Sequence, residues 1–95
     1  MLALIARMKV QPGKEAEFEQ VMGELATEVR KNEIGCKLYA LCKGREAGEY
    51  VVLERYETQE ALTAHGQSAH FKAGFPRLGP LLEGRPKIEM LSELN

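Results

Sequence analysis

Apolar residues in this chain recur first at every second position, then at every third and fourth, then at every second again. Leu2, Leu4, Ala6, Met8 and Val10 alternate with Ala3, Ile5, Arg7 and Lys9, the two-residue period of a β-strand. Gln11-Pro12-Gly13 ends that run. From Lys14 to about Lys31 the period changes: Phe18, Val21, Met22, Leu25 and Val29 fall on one stripe of a helix, with Glu15, Glu17, Glu19, Glu24, Glu28 and Arg30 on its solvated remainder. Asn32 to Gly35 reads as a turn. Cys36 to Lys43 predicts a second strand, with Cys36, Leu38, Ala40 and Cys42 on one face and Lys37, Tyr39, Leu41 and Lys43 on the other. Gly44 to Gly48 is a hairpin loop, and Tyr50 to Glu57 a third strand. Thr58 suits the cap of a helix running to about Ala64. Ser68 to Leu82 is helical in pattern but interrupted by Pro76 and Pro80. Gly84-Arg85-Pro86 breaks again before a last strand, Lys87 to Leu94.

The order β-α-β-β-α-β predicts an α+β, ferredoxin-like fold over residues 1–95 as one domain, a four-stranded antiparallel sheet with its helices on one face. That arrangement leaves one sheet face uncovered. Yet the first strand carries apolar groups on both faces, and so does the third, with Val51 and Leu53 opposite Tyr50, Val52 and Tyr56. A second copy of the chain is the economical cover, so a homodimer is expected.

Charge narrows the partners. Thirteen basic against fourteen acidic residues give a net charge of −1, which does not suit nucleic acid. No apolar run approaches the roughly 20 residues of a membrane span. The apolar start has no charged segment before it and no cleavage pattern, so a secretory signal is not expected. Cys36 and Cys42 on one strand would stand roughly 20 Å apart, too far to bridge. A reduced, cytoplasmic setting is the simplest reading.

The candidate chemistry gathers between Leu53 and Phe71. Glu54 and Tyr56 are two apart on a strand and share a face. His65 follows Leu62 by three and Ala61 by four, which turns it inward. His65 is either a core histidine bonded to a carbonyl or to Glu54, or an acid or base in a pocket. Glu54 is either a structural hydrogen-bond partner or a base or orienting group. Tyr39 and Tyr56 either pack or line a pocket for a flat substrate. His70 lies five residues beyond His65, roughly 140° around a continuous helix, so the two rings are not expected to converge unless Gly66 breaks it. The spacing is not that of a helical metal pair, and no carboxylate or cysteine cluster lies near it in sequence, so no metal site is expected. Tyr39, Glu54, Tyr56, His65 and Phe71 are expected to line a pocket of about 300 Å³ or more between sheet and helices.

Three stretches carry a family resemblance: Val10-Gln-Pro-Gly-Lys-Glu-Ala-Glu-Phe18, Gly35-Cys-Lys-Leu-Tyr39, and Val52-Leu-Glu-Arg-Tyr-Glu-Thr-Gln-Glu-Ala-Leu-Thr-Ala-His65 with His70-Phe71. Together they resemble the antibiotic biosynthesis monooxygenase family over almost the whole chain. The resemblance implies a dimeric α+β barrel. It also implies oxidation of a quinol-like or polyphenolic molecule by O₂ with no cofactor, metal or flavin. Non-oxidative isomerases and ligand-binding proteins share the fold and form the alternative. By position, Glu54, Tyr56, His65 and His70 match the family run and Tyr39 its second-strand aromatic. His65 would be the base, Glu54 would hold its tautomer, and Tyr39, Tyr56, His70 and Phe71 would bind substrate. Many members have Trp at the position of Tyr56, and an Asn near the end of the first strand; this chain has neither, which argues against haem degradation.

Overall fold

The computed structural model describes residues 1–95. Its elements are β1 (Leu2–Lys9), α1 (Glu15–Asn32), β2 (Cys36–Lys43), β3 (Glu49–Tyr56), α2 (Gln59–Gln67), α3 (Ala69–Leu78), a 3₁₀ turn at Gly79–Leu81, and β4 (Lys87–Ser92). The strands form one sheet in the order β2-β3-β1-β4, every neighbouring pair antiparallel. This is the expected ferredoxin-like βαββαβ fold.

The helical face of the sheet holds the core. Leu4, Ala6, Met8 and Val10 from the first strand and its end meet Tyr50 and Val52 from β3, and Phe18, Val21, Met22, Leu25, Ala26 and Val29 from α1 close over them. Phe18 and Val29 are fully buried, as the sequence period requires. Thr58 caps α2 as expected, its hydroxyl accepting from the Ala61 amide at 3.1 Å. Pro76 stands inside α3 and Pro80 in the 3₁₀ turn that ends it.

Two local departures from the strict sequence periods matter for the site. A bulge near the start of β2 sets Cys36 opposite Tyr56 but Leu38 opposite Arg55. Cys36 therefore lies on the helical face with Tyr39 and Leu41, while Leu38, Ala40 and Cys42 lie on the outer face. The expected grouping of Cys36 with the other three fails because one extra residue in a strand inverts everything beyond it. The second departure is at Ser68. It has extended backbone, φ −67° and ψ 151°, and serves as both the last cap of α2 and the first cap of α3. The helical path breaks there and not at Gly66, which sits inside α2.

The outer face of the sheet is uncovered. Leu38, Leu53 and Leu91 stand 37–43% exposed on it. The ion pair Arg7–Glu89 joins the adjacent strands β1 and β4, and Arg55 on β3 reaches across the end of β1 to Glu93, just beyond β4.

Candidate functional site

A cavity of about 220 Å³ lies between the helices and the sheet. Most of its wall is apolar: Leu4, Ala6, Met8, Met22, Leu25 and Leu78 among others. Three polar side chains, Tyr39, Glu54 and His65, reach it, and Phe71 closes one side. The volume is smaller than the expected 300 Å³. An apolar groove of about 540 Å³ shares Phe71, Phe75, Leu78, Pro86 and Ile88 with the cavity and so continues it outward.

Tyr56 and His70 stand outside this wall. Tyr56 is fully buried and donates its hydroxyl proton to Glu54 Oε1 at 2.6 Å. It holds Glu54. His70 lines a separate surface groove between α1 and α3. Of the six residues singled out in the sequence, the cavity thus collects Tyr39, Glu54, His65 and Phe71, with Tyr56 directly behind Glu54.

The histidine's partner is not Glu54 but Glu33, the residue that caps the C-terminus of α1. His65 Nδ1 lies 3.0 and 2.9 Å from the two carboxylate oxygens of Glu33, and His70 Nε2 lies 2.5 Å from Oε2. An ionised carboxylate only accepts, so both ring nitrogens facing it carry protons. For His65 that places the proton on Nδ1. Its Nε2 has no protein partner and is not sealed from solvent, and His65 lines the cavity, so Nε2 is presented there with its lone pair. The expectation that the two histidines do not converge is overturned, because the break at Ser68 re-aims α3. The expected carboxylate-free surroundings are overturned too, because the fold brings in Glu33 from 32 residues upstream of His65.

Glu33 escaped the sequence reading, yet it left a signal. It follows Arg30 and Lys31 at the C-terminal end of α1, where the helix dipole disfavours an anion. An acidic residue there needs another reason, and two histidines supply it. Gly35 lets them meet: a Cβ on it would lie 2.6 Å from the Ala61 Cβ, so only glycine allows α2 this close to the turn after α1.

Around the cavity the protonation preferences diverge. Burial raises the Glu54 carboxyl above the ordinary glutamate range, against the opposing pull of the Tyr56 hydrogen bond and of His65. Burial also raises the Tyr39 hydroxyl, helped by the charges of Glu54 and Glu33, so it stays a hydrogen-bond donor. Cys36 on the same face is raised by burial first and then by Glu33, which makes its thiol a poor nucleophile. The aromatic rings pack round the histidine, with Tyr39, Tyr56 and Phe71 centred 5.4, 5.6 and 4.9 Å from it. A site of this kind can take a proton at His65 Nε2 and supply one from Glu54 or Tyr39. Its apolar walls suit a ring.

The sequence profile described as antibiotic biosynthesis monooxygenase matches residues 1–77. A provisionally named monooxygenase of Bacillus subtilis, YcnE, is 30% identical over 95 residues, 100% of this chain and 99% of that protein. A crystal structure from Caulobacter crescentus, provisionally named for the same family, superposes with a TM-score of 0.96 at 43% identity, covering 99% of this chain and 90% of that one. The structure of Rv0793 from Mycobacterium tuberculosis gives 0.91 at 30% identity, covering 99% and 95%. The chain belongs to the antibiotic biosynthesis monooxygenase family.

Proposed function

We propose that this protein is a monooxygenase that oxidises a quinol-like or polyphenolic small molecule with O₂, using His65 as the base. The observation that carries the reading is the hydrogen bonding of His65, a residue lining an apolar, ring-sized cavity: Nδ1 is tied to Glu33, which leaves Nε2 as the ring nitrogen free to act on a ligand there. Nε2 removes the proton of a phenolic hydroxyl. The resulting anion is rich enough in electrons at the ring carbon to reduce O₂ and combine with it as a peroxide. In the keto tautomer the reacting carbon is a CH₂. One oxygen atom of O₂ becomes its carbonyl, the other leaves as water, and the four electrons lost by the carbon are those gained by O₂. Glu54, whose carboxyl burial biases toward its protonated form, is placed to protonate the peroxide, and Tyr39 to hold the substrate oxygen. Residues of this chain supply all the proton transfers, so the proposal calls for no cofactor.

The reading includes a homodimer across the exposed outer face of the sheet, closing a dimeric α+β barrel, and free thiols in keeping with a cytoplasmic setting. No helix is long and apolar enough to cross a membrane.

Oxygen consumption with a panel of quinols and polyphenols, run aerobically and anaerobically, tests the activity. One O₂ consumed per product carbonyl formed is expected. His65→Ala should lower turnover by about 10²-fold, the usual scale for loss of a general base, while binding of a substrate analogue changes much less. A folded His65→Ala variant with full activity would remove His65 from the chemistry. The alternative of a non-oxidative isomerase has one observation in its favour, an acceptor at His65 and, lining the same cavity, a Glu54 carboxyl that burial makes easier to protonate. Turnover that continues without O₂ would establish it instead.

A further inference from the structure

We propose that Glu33, His65 and His70 form a site for one divalent transition-metal ion, and that the ion, when bound, switches His65 from proton acceptor to proton donor. The switching half rests on His65 being the base; the binding half does not.

The donor set is two imidazoles and one carboxylate, from three separate segments: the end of α1, the last turn of α2 and the first turn of α3. One atom from each converges, and all three lie within 4.8 Å of one another. An ion bound at about 2.0–2.1 Å by each places tetrahedral donors a little over 3 Å apart. The two imidazole nitrogens, at most 4.8 Å apart, must therefore draw together around the ion while each keeps the Glu33 carboxylate beside it. Glu33 Oε2 already touches both histidines, so a single cation can replace two N–H protons and keep all three partners. Imidazole with carboxylate suits Zn²⁺, Co²⁺, Ni²⁺ or Fe²⁺ and not the oxygen-loving Ca²⁺ or Mg²⁺. Three protein donors leave a fourth position for water.

The side chains of His65, Glu33 and His70 are 6, 10 and 14% exposed, so the cluster is shielded. It is also reachable. His70 belongs to the wall of a surface groove of about 560 Å³ between α1 and α3, where Glu24, Glu28 and Asn32 also lie. An ion enters from that side without passing through the cavity.

The consequence follows from which nitrogen is used. In the ion-free cluster the proton of His65 sits on Nδ1 and the lone pair of Nε2 faces the cavity. An ion on Nδ1 forces the proton of the neutral ring to Nε2. The cavity then meets a donor, which cannot take a phenolic proton. A metal at this site is thus an inhibitor built from the catalytic histidine's own support.

The test uses chelator-treated protein titrated with Co²⁺ alone, then Zn²⁺ alone. One Co²⁺ per chain with visible absorption of a four-coordinate site is expected, together with a melting temperature raised by about 5 °C or more in excess Zn²⁺. His70→Ala should lose both signals while melting as a folded protein. His70→Gln should lose the absorption too, which guards against a misfolded alanine variant. Absence of stoichiometric Co²⁺ uptake by the natural protein, or equal uptake by both His70 variants, overturns the site. Turnover is read separately: Zn²⁺ at saturation should abolish proton abstraction in the natural protein and spare it in His70→Ala. Binding without loss of turnover keeps the site and overturns the switch.

Discussion

Glu54 is a residue whose charge the fold resists. Its carboxyl is harder to ionise when folded than when unfolded, so it favours the fold only while protonated. That contribution is complete below the ordinary glutamate value of 4.5 and disappears as pH rises through the elevated folded value. The difference in melting temperature between the natural protein and Glu54→Gln should therefore move in favour of the variant between pH 4 and pH 8, since the amide still accepts from Tyr56 and never ionises. A difference that stays flat across that window would mean that folding leaves the Glu54 carboxyl unshifted. Tyr56→Phe acts from the other side. It strips the buried carboxyl of its donor and should cost about 1–3 kcal/mol in a denaturant titration. At this scale the sequence was legible where partners are near each other, as in Glu54 and Tyr56, two apart on one strand. It was blind where they are far apart. Glu33 and His65 meet through tertiary packing, and no local period reports that.

Elements were easier to read than contacts. Strand alternation and helix stripe follow from burial of one face, and each long element lies where its apolar period puts it. The failures are single-residue events: a bulge that inverts β2 beyond Cys36, and a break at Ser68 that turns α3. Neither changes the count of apolar residues, so neither shows in a periodic pattern. Ser68 accounts for much of the joint. Its hydroxyl donates to the His65 carbonyl at 2.7 Å and accepts from the Phe71 amide at 3.2 Å. Ser68→Ala should destabilise by about 1 kcal/mol, the usual cost of a lost cap. It should also weaken Co²⁺ uptake, because the joint that aims His70 loosens. An unchanged melting temperature would show that packing of α3 on α1 alone holds the joint.

For the whole molecule the open question is what covers the outer sheet face. Sedimentation at micromolar concentration should give about twice the chain mass of 10.6 kDa. Leu53→Lys, placed among the exposed apolar residues of that face, should return the monomer without unfolding it, since Leu53 lies outside the core. A natural protein that sediments as a monomer would sink the barrel. The break at Ser68 has a further consequence, for inheritance. The pairing of the two histidines depends on how many residues separate them as much as on their identity. One residue gained or lost between His65 and the cap would turn everything after it by about 100°. Relatives with such an insertion or deletion would keep both histidines in an alignment and still lose the shared carboxylate. Along a lineage the Glu33 cluster should therefore disappear in one step of chain length, whereas the cavity wears away gradually by substitution.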